Sequence, residues 1–340
     1  MWIDDAPRVR RFENVTREVF ERDIVPARRP ALLKGLVGDW PLVEKAKQSP
    51  ETLVDYLKSI AVQRPVQAWI GAPEMGGRFS YSDDIKGRNH ERRDLLFHEL
   101  ADLVLASRTR PELGYLYAGG IPVPQIMPQL AKDNPIDLID AGRDRLTSLW
   151  FGNRTRTAAH WDLPQNLACV VAGRRRFTLF PIEQIKNLYV GPVDFTLAGQ
   201  PISLVDFLNP DLERFPLFAE AMTHAEVADL EPGDALYMPG LWFHHVEALD
   251  DFGAMVNVWW RDGPDYLTTP LLTMYHALLT LKDMPADERL RWRTLFDHYI
   301  FRPDGEPMAH LAPDTRGLFG DLTDAQRKRL KDYLIQTLSR

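Results

Sequence analysis

Between Tyr115 and Trp260 the chain breaks into short β-prone runs: Tyr115–Ala118, Leu146–Phe151, Leu167–Val171, Phe177–Phe180, Ala235–Met238 and Ala254–Trp260. Gly, Pro and Asn punctuate them, and each is long enough for a strand but too short for a helix. Many short strands with turn residues between them read as an antiparallel barrel or jelly roll, because such strands bury their apolar faces only by closing on one another. On either side the period changes. Toward the N-terminus, Glu13–Glu21 and Arg92–Ser107 read as helices and Pro30–Gly35 as a strand, and Ser49-Pro50-Glu51 followed by Leu53, Tyr56 and Leu57 reads as a capped helix. After Gly263-Pro264 an apolar stripe at helical spacing appears (Leu267, Leu271, Leu272, Tyr275, Leu278, Leu279), with a last helix expected over Thr323–Leu338. The expected architecture is mainly β with flanking helices. Residues 1–110 form an α/β elaboration, 111–262 a jelly-roll core, and 263–340 a helical tail that either covers the barrel or pairs with a second copy to form a homodimer.

Composition narrows the function classes. The 340 residues are 45% hydrophobic and 26% charged, ordinary for a folded chain with ample core, and the formal charge of −7 argues against a general nucleic-acid or anionic-membrane binder. No uncharged apolar stretch is long enough to span a bilayer, and no basic-then-apolar leader opens the sequence, so a cytoplasmic setting is expected. The single cysteine, Cys169, lies in the apolar run Leu167–Val171 and reads as a buried structural thiol.

Two segments carry chemistry. In His160-Trp161-Asp162 the first and third side chains share one face of a strand and can converge on one ion. A second imidazole comes from Trp242-Phe243-His244-His245, just beyond the turn Glu231-Pro232-Gly233-Asp234. Two histidines and a carboxylate on one side of a metal leave its other positions open, the arrangement of non-haem Fe(II) oxygenases. Spacing alone does not choose between His244 and His245, because adjacent strand residues face opposite sides. The strand runs Leu167–Val171 and Phe177–Phe180, joined through Ala172-Gly173, read as a hairpin with the ligands at its entrance. The remaining histidines, His90, His98, His224, His276, His298 and His310, stand singly and are expected at the surface.

Four blocks in order carry a family likeness: Thr157–Asn166, Gly173–Pro181, Val205–Pro216 and Gly233–His245. Through them residues 25–262 resemble the JmjC/cupin-like 2-oxoglutarate oxygenases, among them the asparaginyl hydroxylase that inhibits hypoxia-inducible factor and its bacterial cupin-like relatives. The resemblance implies a double-stranded β-helix fold and makes His160, Asp162 and His244 the catalytic metal ligands. It implies that Arg175, Thr157 and Tyr117 hold the far carboxylate of 2-oxoglutarate, that Asn166 and Asn257 line the same pocket, and that Trp259 forms a wall. The family usually has lysine where this chain has Arg175. The implied activity is hydroxylation of a C–H bond of a protein side chain or small molecule by an Fe(II)- and 2-oxoglutarate-dependent dioxygenase that consumes O2 and releases succinate and CO2. The competing reading is a metal-binding cupin that is not an oxygenase, an isomerase or ligand sensor, in which extra His or Glu ligands would close the site.

Overall fold

A computed structural model describes residues 1–140, 142–264 and 266–339. The chain divides into two compact units, Met1–Asp262 and the segment from Gly263 onward.

The first unit is built on two sheets. From one edge to the other, the larger runs Arg11–Glu13, Ala31–Lys34, Ala235–Met238, Gln165–Ala172, Gly253–Trp260, Arg145–Gly152, Tyr115–Pro122, Pro65–Gly71 and Glu91–Leu96. The smaller runs Glu226–Leu230, Arg175–Phe180, Phe243–Ala248, Arg156–Trp161 and Arg78–Phe79. Successive strands alternate between the sheets: Arg145–Gly152 lies in the larger, Arg156–Trp161 in the smaller, Gln165–Ala172 in the larger, Arg175–Phe180 in the smaller. That winding is the expected jelly roll.

It also corrects the hairpin expectation, for Gln165–Ala172 and Arg175–Phe180 face each other across the barrel instead of pairing. Gly173 makes the crossing possible. It sits at φ +68°, and a Cβ there would lie 2.3 Å from the Phe252 carbonyl oxygen, so only glycine fits.

Alternation along the central strands partitions the core. In Gln165–Ala172, where every residue is buried, Leu167, Cys169 and Val171 face the layer made with the N-terminal helices, while Ala168 and Val170 face the barrel interior with Phe177, Leu179, Leu236 and Met255. Burial on both faces accounts for the unbroken apolar run in the sequence.

Two helix expectations fail at their N-terminal ends. Arg11–Glu13 is a strand, pairing in parallel with Leu32–Lys34, and helix begins only at Arg17, behind the Thr16 cap. Likewise Glu91–Leu96 pairs with Pro65–Ile70, and the helix covers Phe97–Ser107. In both places a charged strand at or near a sheet edge imitates a helical first turn, because its apolar alternation is interrupted by Arg and Glu. Elsewhere Pro50–Ile60 is capped by the Ser49 hydroxyl, which accepts from Thr52 N–H, as the sequence indicates.

In the second unit, helices Pro270–Thr280, Ala286–Phe296 and Asp324–Leu338 contain no buried residue. The last has a capping box of Thr323 and Gln326. Among the described residues no helix is long and apolar enough to cross a membrane.

Candidate metal centre

His160 lies near the end of the strand Arg156–Trp161, Asp162 follows that strand directly, and His244 is the second residue of Phe243–Ala248. These two strands pair, His244 opposite His160, which brings their rings to 4.3 Å between centroids. The three side chains each offer one ligand atom, and those atoms all lie within 4.8 Å of one another. Among the described residues this is the one such cluster. His160 Nδ1 is 3.0 Å from the Ala158 carbonyl oxygen and His244 Nδ1 is 3.1 Å from that of Trp242. A carbonyl only accepts, so each Nδ1 carries the proton and each Nε2 keeps its lone pair for an ion. His244 Nε2 stands 3.6 Å from Asp162 Oδ2. Burial, reinforced by neighbouring His160, pushes the His244 pKa down to about 4, so the imidazole is neutral and ready to ligate at pH 7.

His245 points the other way. Its ring lies 4.8 Å from Phe207 and its Nδ1 is 3.7 Å from Glu247 Oε1, on the outer face of the smaller sheet. Of the two adjacent histidines, it is His244 that lies with His160 and Asp162.

The remaining residues named from the family likeness line the same cavity: Tyr117, Thr157, Asn166, Arg175, Asn257 and Trp259. Thr157 and His160 are three apart, and on a regular strand they would face opposite sides. A bulge solves this: His244 opposes His160 and Val246 opposes Thr157, so Ala158 and Ala159 together face the single residue His245. Both functional side chains thus turn inward. Arg175 is 4% exposed, its Nε has no hydrogen-bond partner, and among the described residues no carboxylate pairs with it. Its burial opposes the charged form and pushes its pKa down. A buried cation without a counter-ion costs several kcal/mol unless an anion arrives. Tyr117 is buried beside it, its pKa raised by burial, and so presents a protonated hydroxyl.

Trp150 is the residue that sequence reasoning missed. Its indole donates to Asn257 Oδ1 at 2.7 Å, Asn257 donates to Asn166 Oδ1 at 3.3 Å, and its ring meets Trp259 edge-on at 5.9 Å. It holds both asparagines and the wall in place. Period-two alternation through Leu146–Phe151 could have found it, since Ser148 and Trp150 share a face. The apolar remainder of the cavity comes from Phe177, Met238, Val246 and Met255. Two histidines depart from expectation: His90 is half-buried and stacked on Trp69 at 4.6 Å, and His98 is half-buried with its Nδ1 shielded from solvent.

The cupin-like domain family matches this chain over residues 16–266. Over 273 residues the chain is 32% identical to the tRNA wybutosine-synthesizing protein 5 of Danio rerio, covering 74% of this chain and 75% of that one. It is 27% identical over 317 residues to the protein of the same name from Gallus gallus (84% and 91% covered). It is 26% identical over 325 residues to Lysine-specific demethylase JMJ31 of Arabidopsis thaliana (84% and 57%). The jelly roll, the matched span and these relatives agree, and the chain belongs to the cupin-like, JmjC-type domain family.

Proposed function

We propose that the protein is an Fe(II)- and 2-oxoglutarate-dependent oxygenase that hydroxylates a C–H bond of its substrate. The observation that carries this reading is one cavity holding both a three-ligand His/Asp/His set and a buried guanidinium that lacks an anion. The donors fit iron: two neutral imidazoles fixed through Nδ1 and one carboxylate, with no fourth His, Cys, Asp or Glu ligand in the cluster among the described residues. When bound, iron with 2-oxoglutarate and O2 supplies the oxidising power for C–H hydroxylation, with succinate and CO2 released.

The chain's own part is binding and exclusion. His160, Asp162 and His244 hold the ion from one side. Arg175 offers its fork to the distal carboxylate, with the Tyr117 and Thr157 hydroxyls as neutral donors beside it. Asn166 and Asn257, locked by Trp150, orient polar groups of the cosubstrate, while Trp259, Phe177, Met238 and Met255 keep water out. Arginine in place of the usual lysine preserves charge and adds a second parallel hydrogen bond.

The relatives' names point in different directions, tRNA wybutosine synthesis in one case and lysine demethylation in the other, so likeness alone leaves the substrate open among RNA, a protein side chain and a small molecule. We further propose that the three C-terminal helices pair with a second copy of the chain, since none of them buries a residue within one copy and Leu272, Leu279, Leu290 and Ile335 are all exposed.

The direct test is anaerobic addition of Fe(II) and then 2-oxoglutarate, followed by visible absorption. A metal-to-ligand charge-transfer band in the wild type that is lost in Asp162→Ala supports the reading. Iron bound without such a band would sink it.

A further inference from the structure

Strand Glu91–Leu96 extends the larger sheet beyond the barrel, and register carries one row of side chains from Tyr117 through Trp69 to Arg92. Neighbouring strands are about 4.8 Å apart, so the Arg92 backbone lies roughly 10 Å from that of Tyr117, which lines the metal cavity. The Arg92 guanidinium lies 4.8 Å over the Trp69 ring, which also stacks against His90 and meets Tyr117 edge-on at 6.0 Å. Arg88, on the preceding loop, reaches over Phe195 at 5.5 Å.

What sets this cluster apart is its unbalanced charge. Arg92 Nε and Nη2 are shielded from solvent, and neither has a hydrogen-bond partner. His90 Nε2 is in the same position. Burial pushes the Arg92 pKa down and Arg88 pushes it further; the His90 imidazole falls to about 4, first through burial and then through Arg92 and Arg88. Among the described residues no carboxylate contributes to either group. Other arginines are served differently: Arg93 pairs with Glu91 at 2.7 Å, Arg110 with Glu112 at 3.1 Å and Arg156 with Asp206 at 3.4 Å. In a chain of net charge −7, these two neighbouring guanidiniums have no carboxylate partner among the described residues. Stacking on Trp69 also fixes the plane of the Arg92 fork, which suits a bidentate oxyanion.

We propose that Arg88 and Arg92, with His90 and Trp69 as their wall, form an anion subsite that takes a carboxylate or phosphate group of the substrate while its target C–H lies in the metal cavity. The inference rests on the oxygenase reading for the role of that anion, but the existence of the subsite does not. It favours substrates with an anionic group set some ångströms from the carbon that is hydroxylated, over neutral or cationic ones.

The test uses the full-length, metal-free protein titrated with inorganic phosphate and, separately, with acetate, read by tryptophan fluorescence and by ligand relaxation in NMR. A parallel arm contains Fe(II) and 2-oxoglutarate under anaerobic conditions, so that Arg175 is already occupied. Wild-type protein is expected to bind at least one of the two anions in the millimolar range in both arms. The Arg88→Gln/Arg92→Gln protein should bind it at least tenfold more weakly, and Arg92→Lys, which keeps the charge without the fork, should fall between them. Preference for phosphate identifies a phosphorylated substrate, and preference for acetate a carboxylated one. Arg88 is exposed, so the single variant Arg88→Gln carries the test should changes at Arg92 disturb folding. Equal affinity in the wild type and the double variant, or no binding by the wild type, overturns the subsite. Failure of Fe(II) and 2-oxoglutarate to bind overturns the oxygenase reading and leaves the phosphate result to stand by itself.

Discussion

Arg175→Met should change the metal-free protein and the cosubstrate complex in opposite directions. In the metal-free protein Arg175 is 4% exposed, has an unpartnered Nε and, among the described residues, no ion-pair partner, and it shares its cavity with Phe177, Val246 and Met255. Replacing a buried ion by an apolar side chain of similar length removes its desolvation cost; such exchanges are neutral or stabilising by about 1–4 kcal/mol. The metal-free variant should therefore melt a few degrees higher, at about 2 °C per kcal/mol for a unit of this size. In the complex the same change leaves the distal carboxylate of 2-oxoglutarate buried without a partner, which costs about 2–5 kcal/mol. At about 1.4 kcal/mol per tenfold, the affinity for 2-oxoglutarate should fall between roughly 30- and 4000-fold. Scanning fluorimetry of the metal-free protein and anaerobic titration of the iron form measure the two effects. Arg175→Lys, which restores the usual family residue, should keep most of the affinity. A variant that melts lower by the equivalent of more than about 1 kcal/mol and binds 2-oxoglutarate as tightly as the wild type would refute the reasoning, since Arg175 would then be a compensated structural cation.

Three further outcomes are expected. His90, His244 and His245 have pKa values pushed down to about 4, 4 and 3, mainly by burial, against about 6.5 in the unfolded chain. The unfolded state then binds more protons than the native one between pH 6.5 and about 4, so the stability of the metal-free protein should be lost as pH falls through that window, each histidine contributing up to about 1.4 kcal/mol per pH unit. Urea melts should show the slope flattened by about one proton in His245→Gln, and an unchanged slope would contradict the burial assigned to His245. A Cβ on Gly119 would stand 2.8 Å from Trp150 Cζ3 and 3.1 Å from Tyr117 Cε1, so Gly119→Ala should displace the ring that holds Asn257. A loss of about 1–3 kcal/mol in stability, with altered near-ultraviolet circular dichroism, is expected, and an unperturbed tryptophan spectrum would count against it. Leu279 is 83% exposed, and light scattering should find Leu279→Glu shifted from dimer toward monomer; a wild type that is already monomeric at high concentration would end the pairing proposal.

Much of the barrel was legible because both-face burial leaves a direct trace. Leu167–Ala172 and Gly253–Val256 are apolar without interruption, and no exposed residue breaks the strands that contain them. The edge elements were not legible. Arg11–Glu13 and Glu91–Leu96 carry charges because they lie at or near sheet margins, and a charged strand leading into a helix reads like the helix itself. The crossing at Gly173 was invisible for another reason: a tight glycine turn between two β runs looks the same whether the strands pair or fly apart to opposite sheets.

The site separates into parts that alternation can reach and a part that it cannot. His160 and Asp162 are two apart and converge, as period two requires, and Asn257 and Trp259 obey the same rule on their own strand. Thr157 breaks it. Counting by twos from His160 passes through Ala158 and leaves Thr157 on the outer face, away from Tyr117 and Arg175. Only the extra residue where Ala158 and Ala159 oppose His245 brings it inward. That same insertion keeps His160 opposite His244 while Thr157 stays opposite Val246, whereas His245 turns outward by ordinary alternation on its own strand. The two alanines at the bulge offer the least side-chain bulk for such a kink, and a larger residue at Ala159, which is fully buried, should disturb the metal ligands and the Thr157 hydroxyl together. An Ala159→Leu protein that lost the site at Thr157 but kept metal affinity would separate the two and show that the bulge does not couple them.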